Sequence, residues 1–151
     1  MESRALGIGW KVMLAMGIYT IVLGLIWVFG TAAMMAPGFT SSTGQAWSDF
    51  VAGNPKAAGY LIMTGRLSAS FGLAIGILIV FVVWNSYRKA QKWSWYASLI
   101  VGVIAWGSVL ADQIAARSPM GIVFMMIGII LFLIGLVVPA KAILGGEAAK
   151  K

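Results

Sequence analysis

Apolar residues in this chain come in long blocks rather than in alternating or striped patterns. Four blocks stand out, at about residues 12–35, 57–84, 95–111 and 120–138. A helix needs ~20 mostly apolar residues to cross a bilayer, and each block reaches or approaches that length. Lipid offers no water to exposed backbone amides, so a spanning segment is either a helix or a strand of a closed barrel. Blocks without alternation predict helices. The pattern therefore predicts an all-α integral membrane protein. Its single transmembrane domain would be an antiparallel, left-handed bundle of four transmembrane helices.

Proline and glycine punctuate the blocks. Pro37-Gly38 is expected to close the first. Pro119 opens the fourth, where a missing amide hydrogen costs little, and Pro139 marks its end. The segment 36–56 forms a longer loop. Within it Trp47, Phe50 and Val51 fall at i, i+3 and i+4, with Thr43 placed to cap the start and Asn54-Pro55 to stop the run. That spacing predicts a short amphipathic helix on the membrane surface; an irregular loop folded over the bundle is the alternative. The first block exceeds the apolar core of about 7–15 residues in a signal peptide. Ala32-Ala33-Met34-Met35-Ala36 is also a poor cleavage site, so the block is read as a retained span.

Charge adds orientation. The chain has 11 basic and 4 acidic residues, for a net charge of +7. With four spans, Arg4, Lys11, Arg88, Lys89, Lys92, Lys141, Lys150 and Lys151 share one side. Lys56 and Arg117 lie on the other, offset by Asp49 and Asp112. The positive-inside rule then predicts a multi-pass protein of the cell membrane with both termini cytoplasmic. The basic excess is a topology signal, with some attraction to anionic lipid, and calls for no nucleic acid. Trp10, Trp84, Tyr87, Trp93, Trp95 and Tyr96 are expected in the cytoplasmic interfacial belt, and Trp47 and Tyr60 in the outer one.

Small residues predict the packing. Gly65, Ala69, Gly72 and Gly76 share one face of the second span. Gly17, Gly24 and Thr31 recur every seven residues in the first span, and Gly121, Gly128 and Gly135 do so in the fourth. Small residues let helix backbones approach closely in lipid, and a seven-residue repeat keeps one seam toward a partner. Gly72 and Gly76 also fit a self-association pattern.

Composition removes most chemistry. With no cysteine and no histidine, the chain lacks disulfides, thiolate or imidazole metal sites and the usual nucleophile–base pairs. The only carboxylate side chains are Glu2, Asp49, Asp112 and Glu147, and none falls at the middle of a span, where coupled carriers place one. No catalytic residue, cofactor or metal is expected. Met34, Met35, Met63, Met120, Met125 and Met126 fall in the outer halves of the spans. Thioethers are soft ligands for Cu(I) and equally adaptable packing material, and both roles stay open.

One ionisable pair stands out. Arg66 lies eighteen residues beyond Trp84, and Asp112 nineteen beyond Trp93. At 1.5 Å per residue both sit ~27–28 Å from the inner belt, near the outer edge of a ~30 Å hydrocarbon core. A structural Arg66–Asp112 salt bridge between the second and third spans is expected. Arg66 snorkelling alone, or pairing with Asp49, is the plainer reading. Trp27 and Trp106 lie at a depth suited to cation–π contact with Arg66 or to filling the core.

The segment "TGRLSASFGLAIGILIVFVVWNSYRKAQKWSWYASLI" covers about a quarter of the chain. It resembles the core of DoxX-like and related uncharacterised small four-helix membrane proteins. The matching features are Arg66 ahead of Gly72 and Gly76, the basic turn of Arg88 and Lys89, and the entry Trp93, Trp95, Tyr96. The resemblance implies a four-helix fold and accessory status, some members being associated with redox enzymes, and no particular reaction. The expected function is that of a non-catalytic accessory or structural subunit, held in the lipid bilayer with other membrane-protein subunits or with itself. The alternative is a protein that binds or transports a lipid, a quinone or a small anion in an outer-half pocket near Arg66, Trp106 and Asp112.

Overall fold

A computed structural model describes residues 4–145. Glu2, Glu147, Lys150 and Lys151 lie outside the described residues. The helices are α1 (Arg4–Thr43), α2 (Trp47–Gly53), α3 (Pro55–Asn85), α4 (Lys92–Ala115), α5 (Pro119–Val137) and α6 (Ala140–Leu144), with a single 3-10 turn at Tyr87–Lys89. There is no strand among the described residues. α1, α3, α4 and α5 are each long and apolar enough to cross a membrane.

Pro37-Gly38 does not close the first helix: α1 runs through it for 40 residues in all. At 1.5 Å per residue that is ~60 Å, about twice a hydrocarbon core. A proline inside a helix withdraws one amide hydrogen and pushes on the preceding turn. Here the helix is already bent upstream, because Gly30 takes non-helical angles (φ −107°, ψ 22°). The Thr31 hydroxyl donates to the Trp27 carbonyl at 2.6 Å and lies 3.3 Å from that of Val28. It thereby captures carbonyls where the bend opens the backbone ladder. Beyond the proline, Phe39 packs on α2, its ring 5.1 Å from Trp47 and 4.7 Å from Phe50. That apolar cluster holds the last turns of α1 in place. Thr43 does not cap α2; Ala46 holds that position, and Thr43 Oγ1 instead accepts from the Gln45 amide at 3.2 Å.

Helix neighbours follow from where glycine meets bulk. α1 lies against α3 and α5, α4 lies against α5, and α3 and α4 scarcely meet. A β-carbon on Gly24 would lie 2.9 Å from the Leu73 Cα, and one on Gly76 would lie 2.9 Å from the Ile21 amide. Gly17 faces Val80, and Gly65 faces Thr31 and Met35. Residue numbers therefore fall along α3 as they rise along α1. On the other side Phe132 of α5 fills the space over Gly102, and Trp106 of α4 fills the space over Gly128. The short turn between α3 and α4 favours close packing of those two helices, but each spends its complementary face on a different neighbour. They diverge away from the turn, giving the order α3, α1, α5, α4.

The turn end of the molecule is the best-packed part. Met13, Met16, Val83, Tyr87, Leu136 and Ile143 are buried there or close by. Pro139 is buried against Gly9, and a β-carbon at Gly135 would meet the Met13 backbone at 3.1 Å. Tyr87, expected in an interfacial belt, is instead fully buried. Its hydroxyl donates to the Gly135 carbonyl at 2.8 Å, and Trp95 Nε1 donates to the Leu136 carbonyl at 2.9 Å. The helical donor for Gly135 would be residue 139, which is proline. The last turn of a helix leaves carbonyls without partners, and here two aromatic side chains supply the donors.

Candidate functional site: a cleft between α3 and α4

Because α3 and α4 diverge, a cleft of about 760 Å³ opens between them, floored by α1 and α5. It runs from Thr20 and Ile79 near mid-helix to Ser42, Asp112 and Ser118 at the end that carries α2. Its walls are mostly apolar. Trp27 stands on one side and Trp106, held over Gly128, on the other. Four methionines, Met34, Met35, Met120 and Met125, line the same space. A volume of this size, mostly apolar with a few polar groups and one charge, has the form of a small-molecule site.

The polar groups have a consistent sense. A hydroxyl has one proton to donate and two lone pairs. Ser42 spends its proton on the Gly38 carbonyl at 2.7 Å, and its oxygen also lies 3.1 Å from that of Ala116. Ser68 donates to the Thr64 carbonyl, Ser108 to Ala105 and Thr20 to Met16. What these side chains offer the cleft is lone pairs. Asp112 adds an acceptor-only carboxylate, the one formal charge in the lining, since no lysine or arginine reaches it. The neutral Gln113 amide and the indoles supply the side-chain N–H groups.

Arg66 does not join this site. It is exposed on α3, its neighbours Gly65 and Ser68 line the cleft, and it does not. The expected Arg66–Asp112 ion pair is not formed: among the described residues neither group has an oppositely charged partner within 4.0 Å. The physical reason is the divergence of α3 and α4, which removes the contact that equal depth implied. Arg66 makes no cation–π contact with Trp27 or Trp106 either. The cation–π contacts lie at the turn end, with the Arg88 guanidinium 4.3 Å from the Trp84 ring and Lys11 Nζ 5.7 Å from that of Trp10.

The glycines divide between two roles. Gly17, Gly24, Gly65, Gly76, Gly128 and Gly135 face another helix closely. Gly121 faces Gln113 and Ser118 across the α4–α5 turn. Gly72, expected at a packing seam, has nothing within 4 Å of a built β-carbon and lines the cleft. Sequence reasoning missed the convergence of the four methionines and of Gln113 with Asp112. Their shared depth was a signal, but which helices face one another was not legible. No protein-family model, no curated protein and no solved structure matches the chain.

Proposed function

We propose that the protein is a non-catalytic, multi-pass membrane protein that holds an apolar or amphipathic molecule of lipid or quinone type in the cleft between α3 and α4. The four helices would form an antiparallel bundle with both termini cytoplasmic, which directs the Asp112 end of the cleft outward. The observation that carries the reading is the cleft itself, about 760 Å³ with a mostly apolar lining and its one charged group, Asp112, at the end that carries α2. Methionine-rich walls adapt to varied apolar shapes. A small anion is disfavoured, because the one charge in the lining is negative and Arg66 lies outside it.

Native mass spectrometry of protein purified in mild detergent tests the reading. A stoichiometric small molecule is expected on the wild type and lost from Gly72→Phe, which puts a ring into the open space at that position. Protein that carries nothing, or a Gly72→Phe variant that carries the same molecule, rules the reading out.

A second reading rests on a separate observation. Gly59 and Gly107 also have open space where a β-carbon would sit. Small residues on apolar helices are where partner helices pack. An accessory subunit would use such faces of α3 and α4 to join a larger membrane complex or a second copy, as the DoxX-like resemblance implies. Co-purification of one partner at fixed stoichiometry, abolished by Gly107→Leu, is its expected signature.

A further inference from the structure

We infer that the cleft selects a single-chain amphiphile carrying a primary ammonium head, docked on Asp112. The inference rests on the ligand-binding reading of the cleft and names its ligand class. Three observations lead to it, two on the Asp112 carboxylate and one on the hydroxyls near it. First, the whole chain carries +7, yet the single formal charge in the lining is the carboxylate of Asp112. Second, that carboxylate has no cationic partner among the described residues within 4.0 Å. Asp112 is exposed at the mouth of the cleft, so a cation can reach it directly and form a charge-assisted hydrogen bond.

Third, the hydroxyls toward that end of the cleft, Ser42 and Ser108, direct their protons to helix carbonyls and so present acceptors. Ser118 Oγ accepts from the Gly121 amide at 3.3 Å and keeps its own proton, so it and the Gln113 amide are the neutral donors at this end. A phosphate or carboxylate head would be repelled by Asp112 and find only neutral donors, and a quinone head would gain nothing from the charge. A primary ammonium brings three donors and no acceptor, which is the complement. The body of the ligand would run toward mid-helix between the apolar faces of Trp27 and Trp106. About 760 Å³ is the space of one drug-sized molecule. The near-absence of contact between α3 and α4 leaves a side entrance.

The test uses three probes of equal chain length, octylammonium, octanol and octanoate. Each is titrated into the full chain in phosphatidylcholine nanodiscs while tryptophan fluorescence and melting temperature are followed. Octylammonium is expected to bind about tenfold tighter than the other two, the worth of a charged hydrogen bond. In Asp112→Asn that preference should fall to about twofold or less. Equal binding of all three probes, or a preference that survives Asp112→Asn, overturns the inference while leaving the cleft as a binding site. Saturable binding of none of them, in wild type and Gly72→Phe alike, removes the cleft reading itself. Repeating the titration in phosphatidylethanolamine nanodiscs separates the sources. Unchanged affinity supports a single-chain ligand; abolished affinity means that the bilayer aminolipid already occupies the cleft, and the single-chain assignment falls.

Discussion

Tyr87→Phe removes one oxygen atom and should measurably loosen the end of α5. The ring is fully buried and stays so in the variant, leaving apolar packing almost unchanged. What is lost is the 2.8 Å hydrogen bond to the Gly135 carbonyl. That carbonyl cannot recover a helical partner, because residue 139 is proline and has no amide hydrogen. Gly135 is buried between α1 and α5, so water does not readily replace the hydroxyl. Leaving a buried acceptor unpaired costs about 1–3 kcal/mol. For a chain of this size each kcal/mol lowers the melting temperature by about 2–4 °C, so a fall of roughly 2–12 °C is expected. Thermal unfolding in mild detergent, followed by circular dichroism, reads it directly. Tyr96→Phe, on an exposed ring of α4, is the control and should melt with the wild type. Tyr87→Leu, which also loses packing, should fall further. A Tyr87→Phe variant that melts within about 1 °C of the wild type would refute the argument that this hydroxyl is the carbonyl's partner.

Other outcomes follow from the same contacts. Gly24→Ala should destabilise by about 1–3 kcal/mol, because its β-carbon meets the backbone of Leu73, which cannot swing aside. Gly107→Ala, in open space, should be neutral or slightly stabilising; equal melting shifts in the two variants would show that the α1–α3 seam is not close-packed. Gly128→Ala should dislodge the Trp106 ring and change the tryptophan emission spectrum, whereas an unchanged spectrum would argue against that seat. Arg66→Ala and Asp112→Ala should each move stability by less than about 0.5 kcal/mol and be additive in the double variant, since no ion pair joins them. A coupling energy above about 1 kcal/mol in that cycle would restore the pair.

The stretch around Arg66 shows how far local reasoning reaches. Counting from Trp84 and Trp93 correctly made Arg66 and Asp112 comparable in distance along their helices, because rise per residue is a property of the helix alone. Contact between them is not such a property. It depends on which faces α3 and α4 turn to each other, and both turn theirs elsewhere. Tyr87 teaches the same lesson at the other end. An aromatic residue next to Arg88 and Lys89 reads as an interfacial anchor. The unpaired carbonyl that draws it inward belongs to Gly135, in another helix, and exists only because Pro139 follows.

The sequence by itself determined that the described chain has four helices long and apolar enough for a membrane, because the count of consecutive apolar residues is local and lipid admits few alternatives. It also placed a short helix near Trp47 and the start of α5 at Pro119. Only the tertiary structure decided that α1 continues past Pro37, where Phe39 finds Trp47 and Phe50 to pack against. It alone decided the order α3, α1, α5, α4, since a glycine's partner is whichever bulky residue fits its space, and those partners lie far away in the chain. The cleft is the consequence: Gly72 and Asp112 line a common space because their helices were drawn to other neighbours.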